Sequence, residues 1–313
     1  MKAKMIFAAL LVCALVGTCF GGCIEGIFGD EKPVLLMATT TSTQDTGLLD
    51  YLKPLFEQKY NCTLVWTAVG TGQALEIGKR GDADILLVHS PASEKKFVSD
   101  GFGGFRYQVM YNYFTILGPS SDPAGIEAAG AASNATKAMK LIYRAGSAGN
   151  CKFISRGDNS GTHTKEQALW KAAGYNYTAQ IATAANAYNK TTGTGWYYSA
   201  GAGMGTCLTM ASEMQSYIFT DEGTYFSYMA NLDLKQIVKN DTKNLKNQYG
   251  VIVVNHTRLN PTNHTSTDAN ISYNLAVEFA DWIVSPEIQE KIKEYTIGGR
   301  RLFTPNANGI KNP

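Results

Sequence analysis

The sequence predicts an α/β fold of two lobes, and three observations carry this prediction. From Pro33 onward, short apolar runs alternate with stretches of helical period, which is typical of strands covered on both faces by helices. The 313 residues, 44% of them hydrophobic, suffice for one large or two medium domains. A long central strand and a late return of strand character indicate two crossings between the lobes. We expect such lobes to hinge and to hold a ligand between them.

The first part of the chain predicts three strand-and-helix pairs. Compact apolar runs indicate the strands, and apolar residues recurring every three or four positions indicate the helices. The predicted strands cover 34–41, 62–70 and 83–89, and the predicted helices cover 46–60, 71–81 and 91–101. This alternation predicts a mostly parallel sheet.

The rest of the chain predicts a second lobe and a return to the first. Strands are predicted at 108–119, 151–154 and 249–257, and helices at 135–146, 163–174, about 207–217 and about 274–295. The chain would cross out near 114–119 and back near 245–250. Lobe 1 would then comprise 34–116 and 247–313, and lobe 2 would comprise 117–246.

The N-terminus has the pattern of a secretion signal. Lys2 and Lys4 precede an almost wholly apolar stretch, and small residues follow it. We expect residues 1–22 to be a signal peptide and 23–33 to be a tether lipidated at Cys23. Phe20 departs from the leucine usual at such a cleavage site, so cleavage at Cys19 or an uncleaved anchor stays open. Either arrangement predicts an extracytoplasmic protein on the outer face of the cell membrane.

The net charge argues against nucleic-acid binding, and the cysteines and acceptor asparagines indicate which covalent modifications the chain could carry. Removing residues 1–22 deletes two lysines and lowers the formal net charge from +2 to about 0, which gives no footprint for nucleic acid. Among the remaining cysteines, Cys151 and Cys207 could form a disulfide, although buried thiols are a near equal alternative. Glycosylation acceptors of the form Asn-x-Ser/Thr, which predict a glycoprotein, occur at Asn61, Asn134, Asn176, Asn189, Asn240, Asn255, Asn263 and Asn270.

Hydroxyl groups crowd the first predicted strand-to-helix turn, "ATTTSTQDTG". Ligands of α/β sheets lie at the carboxyl ends of strands, where free backbone amides and the helix dipole favour an anion. One hydroxyl would suffice to cap a helix, so five in a row favour ligand contact over capping alone. They are Thr39, Thr40, Thr41, Ser42 and Thr43. The turn "AVGTGQAL" repeats the arrangement with Thr71 between two glycines.

The third turn, "FISRGDNSGTH", adds a positive charge. Arg156 offers planar, permanently charged donors, and Ser160, Gly161 and Thr162 offer neutral donors at a helix start. Asp158 cannot donate, so we expect it to pair with Arg156, although it could instead accept a proton from a ligand such as hydrogen phosphate. A surface salt bridge beside a capped helix is the alternative for this stretch.

Adhesion and catalysis are weaker interpretations. The tripeptide RGD also occurs at Arg80–Asp82, and the copy at Arg156 lies between a strand and a helix rather than on a long loop. The histidines show no metal-ligand spacing, so no metal is predicted, and neither a G-x-S-x-G turn nor a CxxC pair is present. The sequence thus predicts a binding protein and no enzyme.

Taken together, these motifs resemble the tungstate-binding proteins of ABC importers. The stretches "ATTTSTQDTGLLD", "AVGTGQAL", "RGDADILLVHSPASEKKFV", "VMYNYFTILGPSSDPAGI" and "FISRGDNSGTHTKEQALWKAAG" carry the resemblance, which covers most of residues 34–310. It implies the type II periplasmic-binding-protein fold and a receptor that hands tungstate to a membrane permease with a cytoplasmic ATPase. No cofactor is implied, and we expect a monomer.

The resemblance also implies a set of site residues. The oxyanion would contact Thr40, Thr41, Ser42, Thr71, Arg156, Ser160, Gly161 and Thr162, with Asp158 behind them. A molybdate or phosphate receptor of the same fold is the nearest alternative. An extracellular hydrolase using Ser160 or Ser42 is the alternative from a different class, with His163 as the nearby base.

Overall fold

A mixed sheet forms the framework of the molecule. The computed structural model describes residues 32–259 and 267–311. The strands are β1 Val34–Thr40, β2 Thr63–Val69, β3 Ile85–Val88, β4 Gly103–Gly118, β5 Phe153–Ser155, β6 Tyr197–Ser199, β7 Tyr217–Asp221, β8 Lys235–Val238, β9 Lys246–Val254, β10 Thr296–Ile297, β11 Arg300–Arg301 and β12 Thr304–Pro305. The main path runs in the order β2-β1-β3-β9-β4-β7-β5-β6.

Helices cover this sheet. They are α1 Thr41–Asp45, α2 Leu48–Tyr60, α3 Thr71–Arg80, α4 Pro91–Ser99, α5 Ala135–Ser147, α6 Gly161–Ala172, α7 Met204–Glu213, α8 Glu222–Tyr228, α9 His256–Leu259, α10 Thr267–Ile283 and α11 Pro286–Glu294. A π-helical turn at Tyr177–Ile181 and a 3₁₀ turn at Met229–Asn231 complete the described elements. The α/β fold predicted from the sequence is confirmed.

The first half of the sheet contains β2, β1 and β3, which run parallel. Leu35 pairs with Leu64, and Met37 pairs with Ile85. Strand β9 then lies antiparallel to β3, so the half is mixed rather than uniformly parallel. One core cluster, which includes Phe56 and Phe279, packs on one side of this half.

The second half contains β7, β5 and β6, which again run parallel. Its larger core cluster includes Phe153 and Trp170, whose rings meet edge to face at 5.5 Å. A smaller cluster around Met204 and Leu208 lies with α7.

Strand β4 joins the two halves. Its first part, up to Tyr113, pairs with β9, and its last part, from Phe114, pairs with β7 and β8. The Phe114 N–H donates to the carbonyl of Leu245, one residue before β9 begins, at 2.7 Å. The chain therefore leaves and re-enters the first half at neighbouring points. The lobe boundaries at 116/117 and 246/247 stay a prediction.

The predicted helix over 274–295 is two helices. Helix α10 ends at Ile283, and α11 begins at Pro286 after the cap residue Ser285. Proline has no N–H and clashes with the preceding turn, so it is favoured at the first position of a new helix. The amphipathic period continues through the break and conceals it.

The disulfide that the sequence left open between Cys151 and Cys207 is not formed. Both are buried free thiols in different core clusters. The Cys151 thiol faces the carbonyl of Ile142 at 3.7 Å, and the Cys207 thiol faces that of Ala202 at 3.5 Å. The alternative of buried thiols is therefore the one that the structure shows.

None of the helices in the described ranges has the length and apolar character that a membrane crossing requires. The predicted signal peptide and Cys23 lie outside the described residues.

A buried ion pair fastens α4 to β4. The Arg106 Nε donates to Glu94 Oε2 at 2.6 Å, and the Ser90 N–H donates to Glu94 Oε1. Both charged side chains are at most 3% exposed. Burial raises the pKa of Glu94 to about 7, against the opposing effect of Arg106.

We expect Arg106→Met to lower the free energy of unfolding by about 3–5 kcal/mol, because it leaves a buried carboxylate without its partner. Urea unfolding at pH 8 measures this change. The double variant Glu94→Gln/Arg106→Met should lose much less, and a single variant as stable as the wild type would contradict the pairing.

Candidate functional site

Three strand-to-helix turns meet at the carboxyl ends of β1, β2 and β5. An ideal Cβ built on Gly70 would lie 3.3 Å from Cα of Ser160, so the second and third turns touch. Arg156 Nη2 donates to Thr41 Oγ1 at 3.3 Å and joins the third turn to the first. The structure thus brings together the turns that the sequence nominated, from both halves of the sheet.

The first turn is a dense hydroxyl cluster. Thr40 caps α1, and its Oγ1 accepts from the N–H of Thr43 at 3.2 Å. The same Oγ1 lies 2.6 Å from Thr43 Oγ1 and 3.2 Å from Ser42 Oγ. Thr40 and Ser42 are fully buried, whereas Thr41 is half-buried and faces Arg156.

Four buried donor atoms at the site have no hydrogen-bond partner within the described residues. They are Thr71 Oγ1, Thr162 Oγ1, and Nε and Nη1 of Arg156. Leaving a buried donor unpaired costs about 1–3 kcal/mol, and more when it is charged. Such a set fits a ligand that presents several acceptors at once.

Asp158 braces Arg156. Its Oδ2 accepts from Arg156 Nη2 at 2.5 Å, and its Oδ1 accepts from the N–H of Ser160 at 3.1 Å. Both carboxylate oxygens are therefore engaged inside the loop. Gly157 and Asn159 have positive φ angles of 62° and 57°, which give the loop the tight shape that this double contact requires.

Ser160 begins α6 and is set by its own helix. Its Oγ accepts from the N–H of His163 at 3.2 Å. The ring of His163 turns away, because its Nδ1 accepts from the N–H of Asn159 at 3.0 Å and its Nε2 lies 2.8 Å from the hydroxyl of Tyr177. His163 is therefore not placed as a base for Ser160.

Gly161 lies against His89. An ideal Cβ on Gly161 would be 2.9 Å from the His89 carbonyl oxygen and 3.0 Å from its ring. Only a residue without a side chain lets α6 start this close to the end of β3. Gly161 is thus a point of contact between the two halves.

Two further carboxylic acids lie near Arg156. Asp221 caps α8 and accepts from the Thr224 N–H at 2.8 Å and its hydroxyl at 2.7 Å. Burial raises the pKa of Asp221. Burial, reinforced by the negative charge of Asp221, also raises the pKa of Asp45 to about 6, although Arg156 acts in the opposite direction.

Sequence reasoning missed His89, Asn247, Asp45 and Asp221. His89 follows β3 directly and Asp221 ends β7, so both stand at the strand ends where the predicted residues were sought. That position was the available signal for them. Asn247 gave no such signal, since its contact with His89 joins residues 158 positions apart.

Metal binding has little support in the described part of the chain. No group of three or more His, Cys, Asp or Glu side chains there could hold a metal ion. The polar groups of the site also suit an anion rather than a cation, because most of them are hydroxyl, amide and guanidinium groups that donate hydrogen bonds.

Comparison with known proteins points in one direction. Residues 30–287 match the model of a PBP superfamily domain. The tungstate-binding protein TupA of Peptoclostridium acidaminophilum is 45% identical over 278 residues, which are 88% of this chain and 87% of that protein. The solved tungstate ABC transporter structure from Geobacter sulfurreducens is 43% identical with a TM-score of 0.67, covering 84% of this chain and 98% of that one. The solved tungstate-binding protein TupA of Desulfovibrio alaskensis G20 is also 43% identical, with a TM-score of 0.64 and coverage of 88% and 100%.

We expect Asp45→Asn to raise the melting temperature at pH 7.5 by on the order of 2 °C and to have little effect at pH 4. A carboxyl whose pKa rises on folding from 3.8 to about 6 contributes stability at low pH and loses it as pH rises through this window. Asparagine has no such loss. Scanning calorimetry of ligand-free protein between pH 4 and 8 measures the difference, with the exposed Asp50→Asn as the matched control. A difference that does not grow with pH would contradict the raised pKa.

Proposed function

The chain belongs to the PBP superfamily and, within it, to the family of the tungstate-binding proteins TupA, and from this premise we propose that it is the tungstate receptor of an ABC importer. It would capture tungstate between the two halves and deliver it to a membrane permease driven by a cytoplasmic ATPase. One observation carries the proposal: buried donors of Arg156, Thr71 and Thr162, which have no hydrogen-bond partner among the described residues, come together from both halves.

The donor set suits a tetrahedral dianion. Tungstate has four oxygens that only accept hydrogen bonds, and Arg156 supplies a charged, planar fork for them. Thr41, Thr71, Thr162 and Ser160 add hydroxyls, while the N–H of Gly161, the first residue of α6, is free of an intrahelical partner. One arginine does not neutralise two charges, so the neutral donors and the exclusion of water must stabilise the remainder.

Asp158 supports tungstate over phosphate. Hydrogen phosphate carries a proton and therefore favours a site with an acceptor directed at it. Both oxygens of Asp158 are already occupied by Arg156 and Ser160. Molybdate has the same charge and nearly the same size as tungstate, so the choice between these two rests on the relatives.

Ligand capture would use the crossings at β4 and β9. Bending the chain near the proposed boundaries 116/117 and 246/247 would separate Arg156 from Thr41 and Ser160 from Gly70. These contacts lie within hydrogen-bonding and van der Waals distance here. The arrangement fits a closed form, which would exclude water from the anion.

A hydrolase is the second candidate, because one set of contacts has the connectivity of a catalytic triad. Ser42 Oγ lies 3.0 Å from His89 Nε2, and His89 Nδ1 lies 3.0 Å from Asn247 Oδ1. However, Ser42 is fully buried, and burial lowers the pKa of His89 to about 4, which makes it a weak base at neutral pH. We therefore propose a receptor without enzymatic activity; turnover of phosphate or carboxylate esters that Ser42→Ala abolishes would contradict it.

The receptor would act outside the cytoplasm. We propose removal of residues 1–22 and lipidation of Cys23, with residues 23–33 as the tether to the outer face of the membrane. Glycans would decorate its exterior. Acceptor asparagines that are exposed here, and so suit this modification, are Asn61, Asn134, Asn176, Asn189 and Asn240.

Calorimetric titration tests the proposal. Residues 33–313 form one compact unit, so protein lacking the preceding residues is a suitable sample. We expect binding heat with tungstate, and Arg156→Ala should weaken that binding by well over tenfold because it removes a buried charged donor. Arg156→Lys keeps the charge without the fork and should lie between the two. Heat with phosphate alone would refute the assignment, and an unchanged affinity in Arg156→Ala would place Arg156 outside the site.

We also expect Gly161→Ala to weaken tungstate binding by about tenfold, since the new Cβ would collide with the His89 carbonyl and push α6 away from β3. Gly104→Ala is the matched control, because a Cβ there would find its nearest neighbour at 3.8 Å. The same titration measures both variants. Equal affinities in the two variants would show that this close approach does not shape the site.

A further inference from the structure

His89 links the hydroxyl cluster of the first turn to the two crossing strands. Its ring is 3% exposed and stacks on Tyr249, with the ring centroids 4.9 Å apart. Both ring nitrogens have partners, namely Ser42 Oγ at Nε2 and Asn247 Oδ1 at Nδ1, each at 3.0 Å. The side chain is therefore fixed in position, and its remaining freedom is the placement of its proton.

Asn247 settles where that proton lies. The Asn247 Nδ2 donates to Asn112 Oδ1 at 2.8 Å and to the Tyr249 hydroxyl at 3.3 Å, so the amide oxygen is the atom that faces His89. An amide oxygen can only accept, so His89 Nδ1 must carry a hydrogen. With the hydrogen on Nε2 instead, two acceptors would face each other in a buried space.

The charge state of the ring is equally constrained. Burial lowers the pKa of His89 to about 4, and the nearby charge of Arg156 lowers it further, against the smaller raising effects of Asn247 and Asp158. The ring is thus neutral at physiological pH. A neutral ring with its hydrogen on Nδ1 has a bare Nε2, which accepts from Ser42.

The hydrogen on His89 Nδ1 also fixes which hydroxyl donates and which accepts in each hydrogen bond of the hydroxyl cluster. Ser42 uses its single hydrogen on His89, so the 3.2 Å contact with Thr40 requires Thr40 to donate to Ser42. Thr40 has no second hydrogen, so the 2.6 Å contact with Thr43 requires Thr43 to donate to Thr40. Three hydroxyls therefore point one after another toward His89.

We propose that His89 is a positioning residue that orients the hydroxyls of Thr43, Thr40 and Ser42 away from the anion and toward the crossing strands. This inference rests on the proposed receptor function. The side-chain donors left for the ligand are then Thr41, Thr71, Thr162, Ser160 and Arg156. Thr40 and Ser42 shape the turn that presents Thr41, and their hydroxyls do not hold the anion.

The chain of hydrogen bonds that runs from the hydroxyl cluster through His89 also couples the site to both crossing strands. It ends on Asn247 of β9 and Asn112 of β4, while the opposite side of His89 supports Gly161 at the start of α6. A change at His89 would reach the first and third turns together. The effect of a variant on the affinity for tungstate should therefore follow the hydrogen-bonding ability of residue 89 rather than its bulk.

The first test determines which ring nitrogen of His89 carries the hydrogen, and it uses the unmodified protein. Protein labelled with ¹⁵N in histidine is assigned at His89 through contacts of the ring with Tyr249, and long-range proton–nitrogen spectra distinguish the two nitrogens. We expect a protonated Nδ1 and a bare Nε2 from pH 8 to 5.5. A proton on Nε2, or a doubly protonated ring in this range, would overturn the proposal. This measurement needs no ligand, so its failure is distinct from a failure to bind tungstate.

The second test titrates sodium tungstate into two variants. In His89→Gln the amide oxygen can take the place of Nε2 and accept from Ser42, whereas His89→Asn is too short to reach beyond the position of Nδ1. We expect His89→Gln to stay within about threefold of the wild-type affinity and His89→Asn to lose about tenfold or more. Equal losses in both variants, or no loss in either, would overturn the proposal. Melting temperatures of both variants verify that each is folded.

Discussion

The buried guanidinium of Arg156 is the constraint around which the site is arranged. A positive charge with 2% exposure requires compensation, and Asp158 supplies part of it through one nitrogen while Thr41 contacts the same nitrogen from the other half. Two other nitrogens have no hydrogen-bond partner in the part of the chain that the structure describes. The loop geometry around Gly157 and the start of α6 follow from this arrangement. An oxyanion would complete it, because such a ligand supplies charge and acceptors at once.

The framework explains how one arginine can serve two halves of a sheet. Strand β4 pairs with β9 along most of its length and then with β7 and β8, so one continuous strand belongs to both halves. Donors of the first half and the charge of the second half therefore meet only when the halves are close together. In the proposed receptor, capture of an anion and approach of the halves would be a single event.

Sequence analysis predicted the three turns because the residues that mark each of them are neighbours in the chain. Hydroxyls and glycines followed apolar runs, and the carboxyl ends of β1, β2 and β5 do lie together. It did not predict contacts between residues that lie far apart in the chain, such as that of His89 with Asn247. The antiparallel insertion of β9 was missed for the same reason, since one apolar run reads alike in either direction. Pro286 shows the opposite failure, where a local signal was outweighed by an uninterrupted amphipathic period.

The proposed receptor holds the anion between the two halves, on Arg156. Diffraction data collected on both sides of a tungsten absorption edge, from crystals grown with sodium tungstate, locate the metal without reference to the protein's hydrogen bonds. We expect one dominant anomalous peak beside the Arg156 guanidinium, between the hydroxyls of Thr71 and Thr162. A dominant peak elsewhere, with none at Arg156, would contradict it.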